Sequence, residues 1–172
     1  MDLTKYQRLV LVNQYRILEK VDPERADQHE KTRKVFERGY EMAYDWRTDS
    51  IDEPVSQGEC EFVFDVLDMF NELQRGYDQH NPEGIERREV EFPGFDTSVD
   101  EIGMLSWAEF AINELGRWGR VDIKGNDLDS HMPLREAYGR MLDAWAESED
   151  KHNLSEQDLR RVLNARVHPE QR

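Results

Sequence analysis

The sequence predicts an all-α chain: a single compact domain of about six helices over residues 1–172, with at most one short β pairing near residues 90–95. Three observations lead there. Apolar residues recur at helical spacings through every strongly patterned segment, the mark of helices with one buried face. Capping signatures and Pro or Gly residues punctuate those segments at helix-like lengths. Hydrophobic residues make up 37% of the chain, with four Trp, six Tyr and seven Phe, enough for one self-sufficient aromatic-rich core.

The first helix runs from Thr4, which forms a capping box with Gln7, to about Leu18. At 100° per residue, Tyr6, Val10, Ile17 and Val21 fall in one arc and Leu11, Tyr15 and Leu18 in the next, with Gln7 and Gln14 between them. That arrangement predicts two amides facing the core, each with a hydrogen-bond partner, because stranding a buried amide costs about 1–3 kcal/mol. Val12, among Lys5, Arg8 and Glu19, is predicted on the polar side, where a lone apolar residue suggests contact between copies.

Asp22 and Pro23 read as N-cap and N1 of a second helix ending near Gly39, with Tyr40 to Trp46 adding a further turn or two. Residues 47–55 are a polar loop containing Pro54. Ser56 and Glu59 form the capping box of a third helix, predicted to reach Arg75 with Gly76 just beyond its end. A loop over 78–84, a short turn of helix over 85–88 and an extended connector over 90–96 follow. In that connector Pro93-Gly94 supplies the centre of a type II turn. Asp96 is predicted to cap a fourth long helix to about Trp118. Leu134, Ala137, Tyr138, Met141, Leu142 and Trp145 define the core stripe of a helix beginning at Pro133. In the last helix Ser155 pairs with Asp158 as a capping box, and Leu154 with Leu159 as a hydrophobic staple.

Charge narrows the partners. Thirty-eight carboxylates against 23 Lys and Arg give −15 and a mean field that repels phosphate backbones and anionic membranes. Direct nucleic-acid binding is therefore disfavoured, and a mean hydropathy of −0.91 marks a very polar surface. The longest unbroken apolar run is Leu9 to Val12, and the N-terminus has neither a basic n-region nor an apolar h-region. Together with a single cysteine, Cys60, this predicts a cytoplasmic chain without a membrane span or internal disulfide.

Glu61, Asp65, Asp68 and Glu72 lie at i, i+4, i+7 and i+11 of the third helix and form one acidic stripe beside its apolar side. Carboxylates at that spacing suit a hard cation such as Mg²⁺, and with it a phosphate substrate. The plain alternative is a solvated stripe. The five histidines show no zinc spacing, and Gly125 sits at the wrong offset for Asp122, Asn126, Asp127 and Asp129 to form an EF-hand. Cys60 falls on the apolar side of its helix and reads as structural. No phosphate loop, nucleophile elbow or dinucleotide fingerprint is present, so no cofactor is expected.

The first helix, Val21-Asp-Pro23, Glu37-Arg-Gly-Tyr40, Phe92-Pro-Gly-Phe-Asp96, Tyr138 to Trp145, and Leu154-Ser155 through Leu163-Asn-Ala165 together resemble the YfbU family over residues 4–165. The resemblance implies an all-helical fold and names no reaction. Some family members carry the domain beside a DNA-binding helix-turn-helix module, which implies a ligand-sensing or interaction role. Residues matching the family signature outside the apolar pattern, Arg8, Arg38, Tyr40, Phe95 and Asp96, are ligand-binding candidates with Gln7 and Gln14. An Arg beside an aromatic ring suits an anion or nucleotide; the structural alternative pairs Arg38 with Asp96. The sequence reading is thus a ligand-responsive or protein-interaction module whose partner is a small ligand or a protein. Its alternatives are a Mg²⁺-dependent phosphohydrolase built on the acidic stripe and a structural homo-oligomer, the simplest being a homodimer.

Overall fold

Helices account for the regular structure of the described residues. The computed structural model describes residues 2–47, 51–98, 100–123 and 128–167, and these fall into two compact units, residues 1–53 and 54–172.

The first unit is an αα-hairpin. Helix α1 (Lys5–Val21) starts at the expected Thr4–Gln7 capping box. Helix α2 (Ala26–Arg38) returns antiparallel after a 3₁₀ turn at Pro23–Arg25. Asp22 does not cap that turn; its carboxylate accepts from Arg25 Nε at 2.7 Å and lies 3.0 Å from His29 Nε2. Gly39 ends α2 at φ 72°, and a Cβ there would stand 2.5 Å from Arg8 Nη1. Two further 3₁₀ turns, Glu41–Ala43 and Asp45–Arg47, close the hairpin. Its small core is Val12, Phe36 and Tyr44, with Phe36 stacked between Tyr15 and Tyr44 at 5.8 and 5.4 Å.

The orientation of α1 overturns the sequence reading. Val12 is the buried residue of α1, whereas Gln7 and Gln14 are both exposed. The polar side wins because α2 answers it group for group. Arg33 Nε donates to Glu19 Oε1 at 2.6 Å, its Nη1 donates to Glu37 Oε2 at 2.6 Å, and Arg8 donates to the Phe36 carbonyl at 3.3 Å. The side chains of Arg8 and Glu19 on either side of Val12 are thus drawn into the hairpin with their polar ends satisfied.

The second unit is built on α3 (Gln57–His80), which starts at the Ser56–Glu59 capping box and runs past Arg75 to an Asn81 cap at φ 43°. Gly76 is interior to the helix. It gives room for Leu159, whose Cδ2 would lie 3.1 Å from a Cβ at 76. Around α3 pack the short α4 (Arg87–Val90), then α5 (Ile102–Asn113), α6 (Arg135–Ala146) and α7 (Glu156–Ala165). The stripe of α6 and the staple of α7 are buried as expected, Leu142 half-buried. Helix α5 is shorter than predicted, because Asp96 accepts from Ser98 N in a local turn and Gly116 at φ 64° follows its C-terminus.

Two isolated parallel bridges join the connector over 90–96 to later residues, Phe92 with Ile123 and Phe95 with Asp129. Gly94, at φ 89° in the predicted turn, is obligatory, since a Cβ would stand 1.7 Å from the Leu128 carbonyl oxygen. Phe70, Phe92, Phe95 and Tyr138 interlock behind it with centroids 5.3 to 6.1 Å apart, and the Tyr138 hydroxyl donates to the Gly94 carbonyl at 2.7 Å.

Candidate functional site

With Val12 turned into the hairpin, the apolar arc of α1 is left facing solvent. Tyr6 is 83% exposed, Val10 56%, Ile17 61% and Val21 68%, and Leu9 and Leu18 extend the patch to either side. Residues 6 to 21 span about 22 Å of helix. Among the described residues, ten of the fifteen exposed large apolar side chains lie in residues 1–53, so the excess of exposed apolar surface is concentrated in the hairpin. Single exposed apolar residues mean little, but a contiguous stripe marks a surface that meets another molecule.

The ligand-binding candidates divide between the two units. In the hairpin, Gln7 is spent on the capping box, where its Oε1 accepts from Thr4 N and Oγ1 at 2.8 and 2.9 Å. Gln14 is on the stripe without a partner among the described residues. Arg8 lies against Gly39 and caps the C-terminal carbonyl end of α2. Arg38 donates to the Tyr40 hydroxyl at 3.3 Å, and that bond raises its pKa. In the second unit Phe95 is fully buried, a core ring closed to any ligand. Asp96 is held locally: its Oδ1 accepts from Ser98 N at 2.6 Å, and its N–H donates to Glu101 Oε2 at 3.0 Å.

The four carboxylates of the acidic stripe go separate ways. Glu61 accepts from Gln57 at 2.7 Å, Asp68 accepts from the Trp118 indole N–H at 2.7 Å, and buried Glu72 meets Arg75 at 2.5 Å. Asp65 is left facing the others, and its pKa is raised first by burial and then by Asp68 and Glu61. Among the described residues, no three His, Cys, Asp or Glu side chains stand together as a metal site would require. Of the acidic loop, Asp122 pairs with Arg87 and Asp129 with His131, while Asn126 and Asp127 lie outside the described residues. Cys60 is half-buried, its thiol pKa raised by burial and by Glu59 and Glu61, an inert setting.

Sequence reasoning missed a polar cleft of about 350 Å³ where Arg75, Arg87 and Arg120 converge beside Gln74 and Asp78. Most of its charge is already neutralised. Arg87 bonds Asp78 and Asp122, Arg75 bonds Glu72, and Arg120 alone has no partner among the described residues. These arginines come from α3, α4 and a later loop, so no local spacing announces them. No helix among the described residues is long and apolar enough to cross a membrane. A family model described as the YfbU domain matches residues 1–165.

Proposed function

The chain belongs to the YfbU family, and from that membership we propose that it is a protein-interaction module whose working surface is the outer face of α1. The observation that carries this reading is the solvent-facing stripe Tyr6, Val10, Ile17 and Val21. A helical surface with apolar anchors at i, i+4, i+11 and i+15 is the form in which helices are recognised by grooves and by other helices. The hairpin's own core, centred on Val12, Phe36 and Tyr44, leaves this surface without a structural duty inside the hairpin. The rims suit the same purpose: Lys20 and Asn13 border one side and Gln7 and Gln14 the other, so a partner meets no carboxylate of α1 on this face.

The test is thermodynamic. If the stripe serves a partner, Val10→Glu with Ile17→Glu leaves the circular dichroism of the sub-micromolar protein unchanged, and its urea unfolding free energy within about 0.5 kcal/mol of wild type, as surface substitutions do. A loss above about 2 kcal/mol at that dilution makes the stripe part of the core and removes the interaction reading.

A further inference from the structure

Resting on that reading of α1, we infer that the partner is a second copy of this chain, the two α1 helices packing antiparallel about a two-fold axis that passes between Asn13 and Gln14. The stripe is symmetric about that point. Tyr6 and Val21 are equidistant from it, and so are Val10 and Ile17. An antiparallel pair in this register sets Tyr6 of one copy opposite Val21 of the other and Val10 opposite Ile17, so each apolar anchor meets another. Self-complementarity of one patch is what an isologous interface requires. At the centre, Asn13 lies beside its symmetry mate on one edge of the seam and Gln14 beside its mate on the other. Neither amide has a hydrogen-bond partner within the described residues, and each carries both donor and acceptor groups. Reciprocal amide bonds at the axis fix register and orientation in an otherwise apolar seam.

Charge and area favour the same occupant. Residues 54–172 hold 26 carboxylates against 13 Lys or Arg, whereas residues 1–53 hold 12 against 10, so self-association through the hairpin brings together the nearly neutral part of an acidic chain. In the half of α1 centred on the stripe, Lys20 is the one charged residue of the helix. The antiparallel register sets the two Lys20 side chains about 20 Å apart. The six exposed apolar side chains offer on the order of 600 Å², the upper end of what a monomer leaves bare. Two copies reach about 1,200 Å², where stable interfaces begin.

Sedimentation equilibrium of the full chain at micromolar concentration gives a dimer, and Ile17→Glu gives a monomer with unaltered circular dichroism. Orientation is read by disulfide trapping in a Cys60→Ser background. Chains carrying Tyr6→Cys mixed with chains carrying Val21→Cys oxidise to a mixed disulfide, and neither chain alone does so. A wild-type chain that stays monomeric to about 100 µM, a dimer that survives Ile17→Glu, or Tyr6→Cys chains that cross-link to one another each overturn the assignment. The interaction reading stands or falls separately, on the stability of the Val10→Glu, Ile17→Glu chain.

Discussion

Gln74 holds the place that the amide argument gave to Gln7 and Gln14. It is buried on α3, donates to the Val90 and Asp122 carbonyls at 3.1 and 2.9 Å, and accepts from Asp122 N at 2.7 Å. One side chain thus satisfies three backbone groups, one at the end of the short α4 and two in the loop at Asp122. Glu101 works similarly: its Oε1 accepts from Leu134 N and Arg135 N at 2.8 Å and puts a carboxylate at the N-terminus of α6. Removing such a hub strands several backbone groups at once. Gln74→Ala is therefore expected to cost roughly 2–4 kcal/mol in urea unfolding at sub-micromolar protein, while Gln14→Ala stays within about 0.5 kcal/mol of wild type there. Equal costs at the two positions would contradict the assignment of the buried amide. The rule that buried amides need partners was legible in the sequence. Which glutamine was buried was not, because Gln74's partners lie 16 and 48 residues away.

At the scale of the element, α3 shows how a stripe of like charges is tolerated. Asp68 and Glu72 have Trp118 and Arg75, and Asp65 is left with a raised pKa. The sign follows directly. A carboxyl whose folded pKa lies above its unfolded value detracts from stability while ionised, and the penalty fades as the pH falls through the carboxylate range. Glu59 and Asp158, whose pKa values are lowered first by the hydroxyls of Ser56 and Ser155, act oppositely: their stabilisation is present at neutral pH and lost on acidification. Asp65→Asn with Asp68→Asn is accordingly expected to raise stability by a few tenths of a kcal/mol at pH 7 and by less in acid, since an amide at position 68 keeps an oxygen for the Trp118 indole. Millimolar Mg²⁺ is expected to leave both melting temperatures unmoved. A rise confined to the wild type would establish a cation site and revive the phosphohydrolase alternative.

Over the whole molecule, legibility followed the source of each element's stability. Capping boxes at Thr4, Ser56 and Ser155, the core stripe of α6 and the staple of α7 are local signals, and all are present. The family resemblance and the all-helical fold were likewise legible, because they rest on the order of such segments. Helix α1 inverted the expectation because periodicity tells which side of a helix is apolar, not which side is inside. Its neighbour α2 supplies Arg33, Glu37 and a carbonyl end, and so selects the charged side around Val12. The opposite side is left exposed. The central claim is this division of α1 into an inner face at Val12 and an outer face at Tyr6, Val10, Ile17 and Val21. Cysteine scanning measures it directly: single cysteines at these five positions, in a Cys60→Ser background, reacted with maleimide at sub-micromolar protein. The account predicts that cysteines at 6, 10, 17 and 21 react like free thiols and that a cysteine at 12 is protected until the hairpin opens. Protection at 6, 10, 17 and 21 with rapid reaction at 12 would contradict it.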